Sequence, residues 1–405
     1  MIEIPDPWRF ENMLNGKTVV VGTGASISIY RIPDLIRDLR REGADVKVIM
    51  TPNSVNMIDP KVMQWASENP VVTEISGEIE HISLFQLEPE NISFLVSPAS
   101  YDLIGKMANG ISDDPVSLSF SFALGNGNPV VIAPAMHKAM METPMNRKNI
   151  ETLERSGTLI VPPEMDSDKA KLSVNDQIID YVARSFFGNE LRGKKILIMS
   201  GYSRVRLDSV RDIVNGSTGF SGYWFCRNAF RLGAQVITYV GNSANLIPPY
   251  VDFHPAETNQ EYLDETLKAL RKCEYDLVIV PAALSDFSIL SSENREKLQS
   301  GVKHVIELLP DEKIISSIRK AYKGKMLSFS LSAKTDPHEI KKKYLQADPD
   351  MIVHNKLMKN RENFGTGKNN YTFIERDKVI SPGNLTKQDM TLLVLREMEN
   401  MFKSE

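Results

Sequence analysis

The chain has 405 residues, of which 42% are apolar and 25% charged, with a formal net charge of −4. That is too long for one ordinary core, so two soluble α/β domains are expected, and the mild acidity gives no reason to expect nucleic acid or an anionic membrane as partner. Two cysteines, Cys226 and Cys273, are too few for a disulfide framework. No run approaches the roughly 18 apolar residues of a membrane helix, and Met1–Trp8 lacks signal-peptide character, so the cytoplasm is the expected compartment.

Residues 1–16 read as a polar lead-in helix or arm. Thr18–Val21 then has strand character, Gly22–Ser28 is a small-residue turn, and Ile29–Arg41 is spaced as a helix with Ile32, Leu35, Ile36 and Leu39 on one face. A turn built from Gly22, Thr23, Gly24 and Ser26 offers backbone N–H groups and a helix start to a phosphate. Its glycine spacing is not the full dinucleotide fingerprint, so a mononucleotide such as FMN fits better than NAD. A tight turn that binds nothing is the plainer alternative. The strand Val46–Met50 ends at Thr51 and Ser54, hydroxyls that could join the same site.

A helix over 60–67 leads through Val71–Glu80 to His81, a loop histidine between elements. Ile92–Val96 reads as a buried strand, and after Pro98-Ala99-Ser100 the pattern turns helical, with Leu103, Ile104 and Met107 on one face and Asn109-Gly110 as stop. The strand Pro129–Ile132 ends in Pro134-Ala135-Met136-His137, followed by Met140. Open α/β sheets bind ligands at such strand ends, so these two ends and His81 are expected to share a crevice. Met145–Arg155 reads as a helix, Thr158–Val161 as a strand, 162–171 as a charged mobile loop and Val174–Phe187 as a helix.

Gly193-Lys194-Lys195 marks a junction, and the α/β alternation restarts at Ile196–Met199. A loop with Gly201, Ser203, three arginines and Asp208 follows, then Asn215–Gly222, a glycine- and hydroxyl-rich entry to a helix ending near Leu232. Such a transition suits a polyphosphate, although the P-loop spacing is missing. Further strands are expected at Val236–Val240, Leu277–Val280, Met326–Leu331 and Met351–Val353, with a closing helix at Thr386–Phe402. Asp286, beside Phe287 just past a strand end, could hold a ribose or Mg²⁺, or merely cap a helix. Lys297 lies in a solvated loop, 296–303, and Asn363–Gly365 with Asn369–Ile374 reads as a hairpin entry.

The ordered set of motifs resembles the bifunctional phosphopantothenoylcysteine decarboxylase/phosphopantothenate–cysteine ligase family over roughly residues 17–400. The carriers are Gly22–Ser28, Glu80-His81-Ile82, Pro98–Leu103 and Pro134–Met140 in the first half. In the second half they are Ile213–Gly222, Ala282–Phe287, Lys297–Ser300 and Ile352–Asn355. Thr73–His81, the 110–117 run and the "PAMH" form look like the archaeal branch.

The resemblance implies a flavodoxin-like, doubly wound parallel domain over 1–190 and a Rossmann-like ligase domain over 191–405. The first would bind FMN with Gly22, Thr23, Gly24, Ser26, Thr51, Ser54, Pro98, Ala99 and Ser100, and substrate with Asp102, Met136, His137 and Met140. His81 would be its acid/base. The second would join 4′-phosphopantothenate and cysteine through an acyl-nucleotidylate made with CTP and Mg²⁺. There Asn215 and Lys297 would be catalytic, and Gly201, Ser203, Asp286, Phe287 and Lys297 would bind the nucleotide, with Asp286 on the metal side. It also implies a homo-oligomer, with trimer and dimer contacts able to build a dodecamer.

Four features depart from the family pattern. Asp102 stands where the family has asparagine, the loop 164–173 has no cysteine, Gly201–Asp208 is a degraded "GGTREPID", and Lys334 replaces a glutamate. Rival readings are retention of the ligase alone, a non-catalytic flavin- or nucleotide-binding protein, and an unrelated NAD-dependent enzyme, the last disfavoured by the missing fingerprint.

Overall fold

The computed structural model describes residues 12–242, 247–289, 296–333, 336–342, 344–345, 347–358 and 367–403. The chain divides into two compact units, Phe10–Gly188 and, beginning at Asn189, the remainder of the described chain. Of the lead-in expected over 1–16, residues 1–11 lie outside the described residues, as does the hairpin entry at Asn363–Gly365, and residues 13–16 form a turn.

The first unit is built on a wholly parallel sheet of six strands: β1 (Thr18–Thr23), β2 (Asp45–Met50), β3 (Val71–Val72), β4 (Ile92–Ala99), β5 (Val130–Pro134) and β6 (Leu159–Ile160). Their order across the sheet is β3-β2-β1-β4-β5-β6. β1 and β4 are buried at every position, as continuous apolar runs covered on both faces must be. The helix Tyr101–Ala108 begins at Ser100, whose hydroxyl accepts the Leu103 N–H, and it buries Leu103, Ile104 and Met107. Its stop is Asn109 followed by Gly110 at φ +69°.

Several expectations need correction. The helix expected over 29–41 splits into a 3-10 turn, Ile27–Arg31, and the α-helix Ile32–Arg41, because Pro33 favours a fresh helix start. Pro115–Gly125 is an additional helix, hard to foresee because PVSLSFSFALG has no single apolar stripe; Asp114 and Ser117 close its start as a capping box. The segment 162–171 is no free loop. Glu164–Met165 and Lys169–Lys171 form a hairpin whose second strand pairs with Met136–His137. Cross-links rather than sequence polarity order it: Lys171 pairs with Asp166, and Arg31 donates to the carbonyls of Leu172 and Ser173.

The second unit carries an eight-stranded sheet: β7 (Lys195–Ser200), β8 (Val236–Gly241), β9 (Asp252–Pro255), β10 (Leu277–Val280), β11 (Lys325–Ser332), β12 (Met351–Lys356), β13 (Asn369–Glu375) and β14 (Val379–Leu385). The order is β9-β8-β7-β10-β11-β12-β13-β14. The first six strands are parallel and the last two run as an antiparallel extension. The loop expected after β7 is largely a hairpin, Arg204–Arg206 against Asp212–Val214, closed by an Arg204–Asp212 pair. The helices Phe220–Arg231 and Lys387–Lys403 are pinned together by buried Asn228, whose amide donates to Thr391 Oγ1 and the Gln388 carbonyl. Among the described residues, no helix is long and apolar enough to cross a membrane.

Candidate active sites

In both sheets the first strand lies between the strands that go left and right, so the crossover falls at the C-terminal ends of β1 and β4, and of β7 and β10. Doubly wound sheets take their ligands there.

In the first unit the turn after β1 packs directly on the end of β4. Gly24 N–H donates to the Pro98 carbonyl at 3.0 Å, and a Cβ at Gly24 would stand 2.7 Å from that same oxygen. Only glycine permits that approach. Ala135 N–H donates to the Ala99 carbonyl at 3.0 Å, and Ser26 Oγ reaches the Ala135 carbonyl at 3.3 Å. From the other side Thr51 N–H bonds the Thr23 carbonyl, and Thr23 and Ser54 share a hydroxyl contact at 3.2 Å. Thr51 also caps the turn Pro52–Val55. Thr23, Gly24, Ser26, Thr51, Ser54, Pro98, Ala99 and Ser100 thus come together from strand ends far apart in sequence. Gly22 sits inside β1, where an added Cβ would meet Val116 and Phe94 side chains; it makes room for the core.

The remaining residues expected at this site are Asp102, Met136, Met140, His137 and His81. Asp102, in the first turn after Ser100, is exposed and pairs with Lys106 at 3.3 Å, as do Asp113 at 3.1 Å and Asp114 at 3.4 Å. Burial works to lower Lys106, but hydrogen bonds with Asp113 and Asp102 and the Asp114 charge outweigh it, and the net shift is upward. Lys106 thus offsets part of the charge of three carboxylates, one of which, Asp102, lies on its own helix. Met136 packs against the core, while Met140 is exposed. His137 is an N-cap, its Nδ1 accepting the Ala139 N–H at 3.2 Å. His81 differs from expectation: it lies in a helical turn, Glu80–Ser83, held because the Ser76 hydroxyl and N–H both donate to Glu80. Those bonds keep the Glu80 carboxyl below its usual range. The His81 ring meets Phe122 edge-on at 6.2 Å, and its Nδ1 is buried without a hydrogen-bond partner.

These features fit a flavin mononucleotide. The cradle gathers hydroxyl-bearing residues at a strand-to-helix crossover, where a phosphate is held, and the glycine at its base admits no side chain.

In the second unit the crossover opens into a cavity of about 440 Å³. Its walls are the β7 and β10 ends (Ser200, Ala282–Asp286), the turn Asn215–Ser221, the β11 and β12 ends (Ser328–Leu331, Asn355), Glu312 and Lys313, and Tyr344, Tyr371 and Lys387. Asn215 Nδ2 donates to the Ala283 carbonyl at 2.9 Å, joining two walls. Gly219, at φ +75°, starts the helix Phe220–Arg231. Burial pushes Tyr344 and Tyr371 up to about 12, so both phenols stay protonated at neutral pH.

Asp286 and Asn215 line the cavity, whereas Gly201, Ser203, Phe287 and Lys297 are not among its lining residues. Ser203 is a buried anchor, its hydroxyl accepting the Ser285 N–H at 2.7 Å and its N–H donating to Ala283. Gly201 has φ +95°. Lys297 is exposed, but its neighbour Leu298 is tied down: its N–H donates to Asp208 and its carbonyl accepts from Arg211. Lys334 lies outside the described residues. Lys313, Asn355, Tyr344, Tyr371 and Lys387 are lining residues that the sequence reading did not single out. Asn355 alone stood within a quoted motif.

Residues 8–187 match the family model described as Flavoprotein, and residues 191–401 match the DNA/pantothenate metabolism flavoprotein C-terminal domain. The chain is a flavoprotein unit joined to a second α/β unit of that kind. It is 33% identical over 397 residues to the coenzyme A biosynthesis bifunctional protein CoaBC of Thermococcus kodakarensis, covering 96% of each chain. The CoaBC of Bacillus subtilis is 29% identical over 409 residues, covering 96% of this chain and 98% of its own. A crystal structure of the C-terminal domain of CoaBC covers 54% of this chain and 100% of its own, at 26% identity and a TM-score of 0.45. This chain belongs to the CoaBC family.

Proposed function

We propose that this chain carries out two successive steps of coenzyme A biosynthesis. The second unit joins cysteine to 4′-phosphopantothenate at the expense of CTP, and the first decarboxylates 4′-phosphopantothenoylcysteine to 4′-phosphopantetheine with FMN. The carrying observation is that the chain matches a CoaBC over 96% of its length and has a strand-end crossover in each unit, the second opening into a polar-walled cavity.

In the ligase cavity the substrate carboxylate attacks the α-phosphorus of CTP and displaces pyrophosphate; the cysteine amine then attacks the acyl carbon and displaces CMP. Asn215 holds an oxygen of the acyl or phosphoryl group, and the helix start at Gly219 faces the anionic groups. Asp286 and Glu312 share the cavity and suit Mg²⁺ carried on the nucleotide, since that ion needs one or two carboxylates beside phosphate oxygens. Lys297, exposed and not among the cavity's lining residues, reaches the site from a loop fixed through Leu298 and neutralises charge that develops on transfer.

In the first unit Thr23, Gly24, Ser26, Thr51, Ser54 and Ser100 would hold FMN. The chemistry FMN supplies when bound is reversible two-electron transfer with the cysteinyl thiol. His81 moves a proton at its unpartnered nitrogen. Lys106 offsets part of the negative charge that Asp102, Asp113 and Asp114 would set against a substrate carboxylate. Exposed Ile27 and Tyr30 beside the turn support a site completed in a homo-oligomer, and two free cysteines suit the cytoplasm.

Asp102 and the cysteine-free strap also support a narrower second reading, in which only the ligase works. Mass spectrometry of purified protein given 4′-phosphopantothenate, cysteine, CTP and Mg²⁺ decides between them. 4′-Phosphopantetheine is the expected product. Arrest at 4′-phosphopantothenoylcysteine selects the narrower reading, and neither product, with ATP tried in place of CTP, overturns both.

A further inference from the structure

Lys387 is the first residue of the closing helix and is only 7% exposed, yet it lines the ligase cavity. Its position is set at long range. Asn228 clamps the closing helix to Phe220–Arg231, and the Lys387 ammonium stands 5.9 Å from the Phe220 ring, beside the start of that second helix. Thr386 caps the closing helix through the Asp389 N–H and donates to the Asp389 carboxylate. The other charged residues lining the cavity are Asp286, Glu312 and Lys313. Asp286 and Glu312–Lys313 come from segments linked by an Asp311 N–H to Asp286 carbonyl bond. A second sign of a polar occupant is Ser328, fully buried and lining the same cavity, whose Oγ has no hydrogen-bond partner.

We propose that Lys387, with the N-terminus of the helix Phe220–Arg231, binds a phosphoryl group in this cavity. This rests on the ligase reading. An ammonium held in a low-dielectric wall attracts a phosphoryl oxygen more strongly than a surface lysine does, because less water screens it. Burial pushes Lys387 down to about 8. The phosphoryl group has two possible sources, the triphosphate of CTP and the phosphate of 4′-phosphopantothenate.

The test uses the full chain and its Lys387→Met and Lys387→Arg variants. Methionine keeps the stem and removes the charge, and a cooperative melt of each ligand-free variant shows that it folds. Lys387→Met should raise one KM by about tenfold or more, the effect of a lost charge-assisted contact, and Lys387→Arg should recover most of it. A rise for CTP assigns the nucleotide, and a rise for 4′-phosphopantothenate assigns the acyl substrate. Both KM values within about twofold of wild type, or a kcat loss that arginine does not rescue, would overturn the proposal. Inorganic pyrophosphate gives a readout independent of turnover. It should raise the melting temperature of wild type more than that of Lys387→Met, and equal shifts contradict the proposal. A wild-type chain that forms no 4′-phosphopantothenoylcysteine defeats the ligase reading, and the pyrophosphate comparison still judges Lys387.

Discussion

The two units share a strand order through their first six strands and differ in what they build at the crossover. The first makes a cradle almost entirely of backbone, hydroxyls and caps, knit by bonds such as Gly24 to Pro98 and Ala135 to Ala99. The second leaves a 440 Å³ cavity walled by amide, carboxylate, phenol and ammonium groups. A cofactor that stays bound is best held by fixed backbone donors, whereas substrates that arrive, react and leave need charged side chains. One topology serves both because function is placed at the strand ends and not in the sheet.

The comparison breaks most directly at Gly24. Gly24→Val places atoms against the Pro98 carbonyl, so the protein should lose flavin and its yellow absorbance, and decarboxylation should fall at least about 100-fold. Ligation should persist, as a coupled pyrophosphate assay would show. In the second unit, Asn215→Ala removes the amide that joins two cavity walls, and kcat for ligation should fall by about 10²-fold with flavin content unchanged.

A smaller effect sharpens the view that the Lys297 loop is held from outside the cavity. Asp208 is buried and accepts N–H bonds from Val210, Arg211 and Leu298. Burial alone would raise its carboxyl, but those bonds and Arg211 draw it below the usual range. Its folded pKa being depressed, it stabilises the unit above the ordinary aspartate range, and that contribution is lost as pH falls through the folded value. Asp208→Asn should lower the denaturant midpoint at neutral pH and weaken the acid dependence.

The smallest effect concerns Lys387. Its folded value, about 8, lies below the unfolded value for lysine, so the unfolded chain binds more protons between the two and stability rises with pH across that window. Thermal melts of ligand-free protein from pH 7.5 to 10 should show a rising component, by the same reference values, that Lys387→Met lacks.

Local signals carried much of this architecture. Ser100, the Leu103/Ile104/Met107 face and Gly110 announce one helix from start to stop, and the glycine turn after β1 announces a tight strand-to-helix turn. What stayed hidden depends on distant packing. The 164–171 strap reads as polar loop because its order comes from Met136–His137 and Arg31. His137, expected at the substrate, caps the turn that follows it, a role its sequence context does not announce. Lys387 reads as an ordinary helix start, since its burial requires the helix Phe220–Arg231 from far upstream.

The central claim is that two chemistries occupy two separate crossovers of one chain. The most direct test is product analysis of His81→Gln beside wild type, with all ligase substrates supplied. The account predicts that the variant consumes CTP at the wild-type rate, keeps its flavin and accumulates 4′-phosphopantothenoylcysteine. Formation of 4′-phosphopantetheine at the wild-type rate, or collapse of CTP consumption in a folded variant, would contradict it.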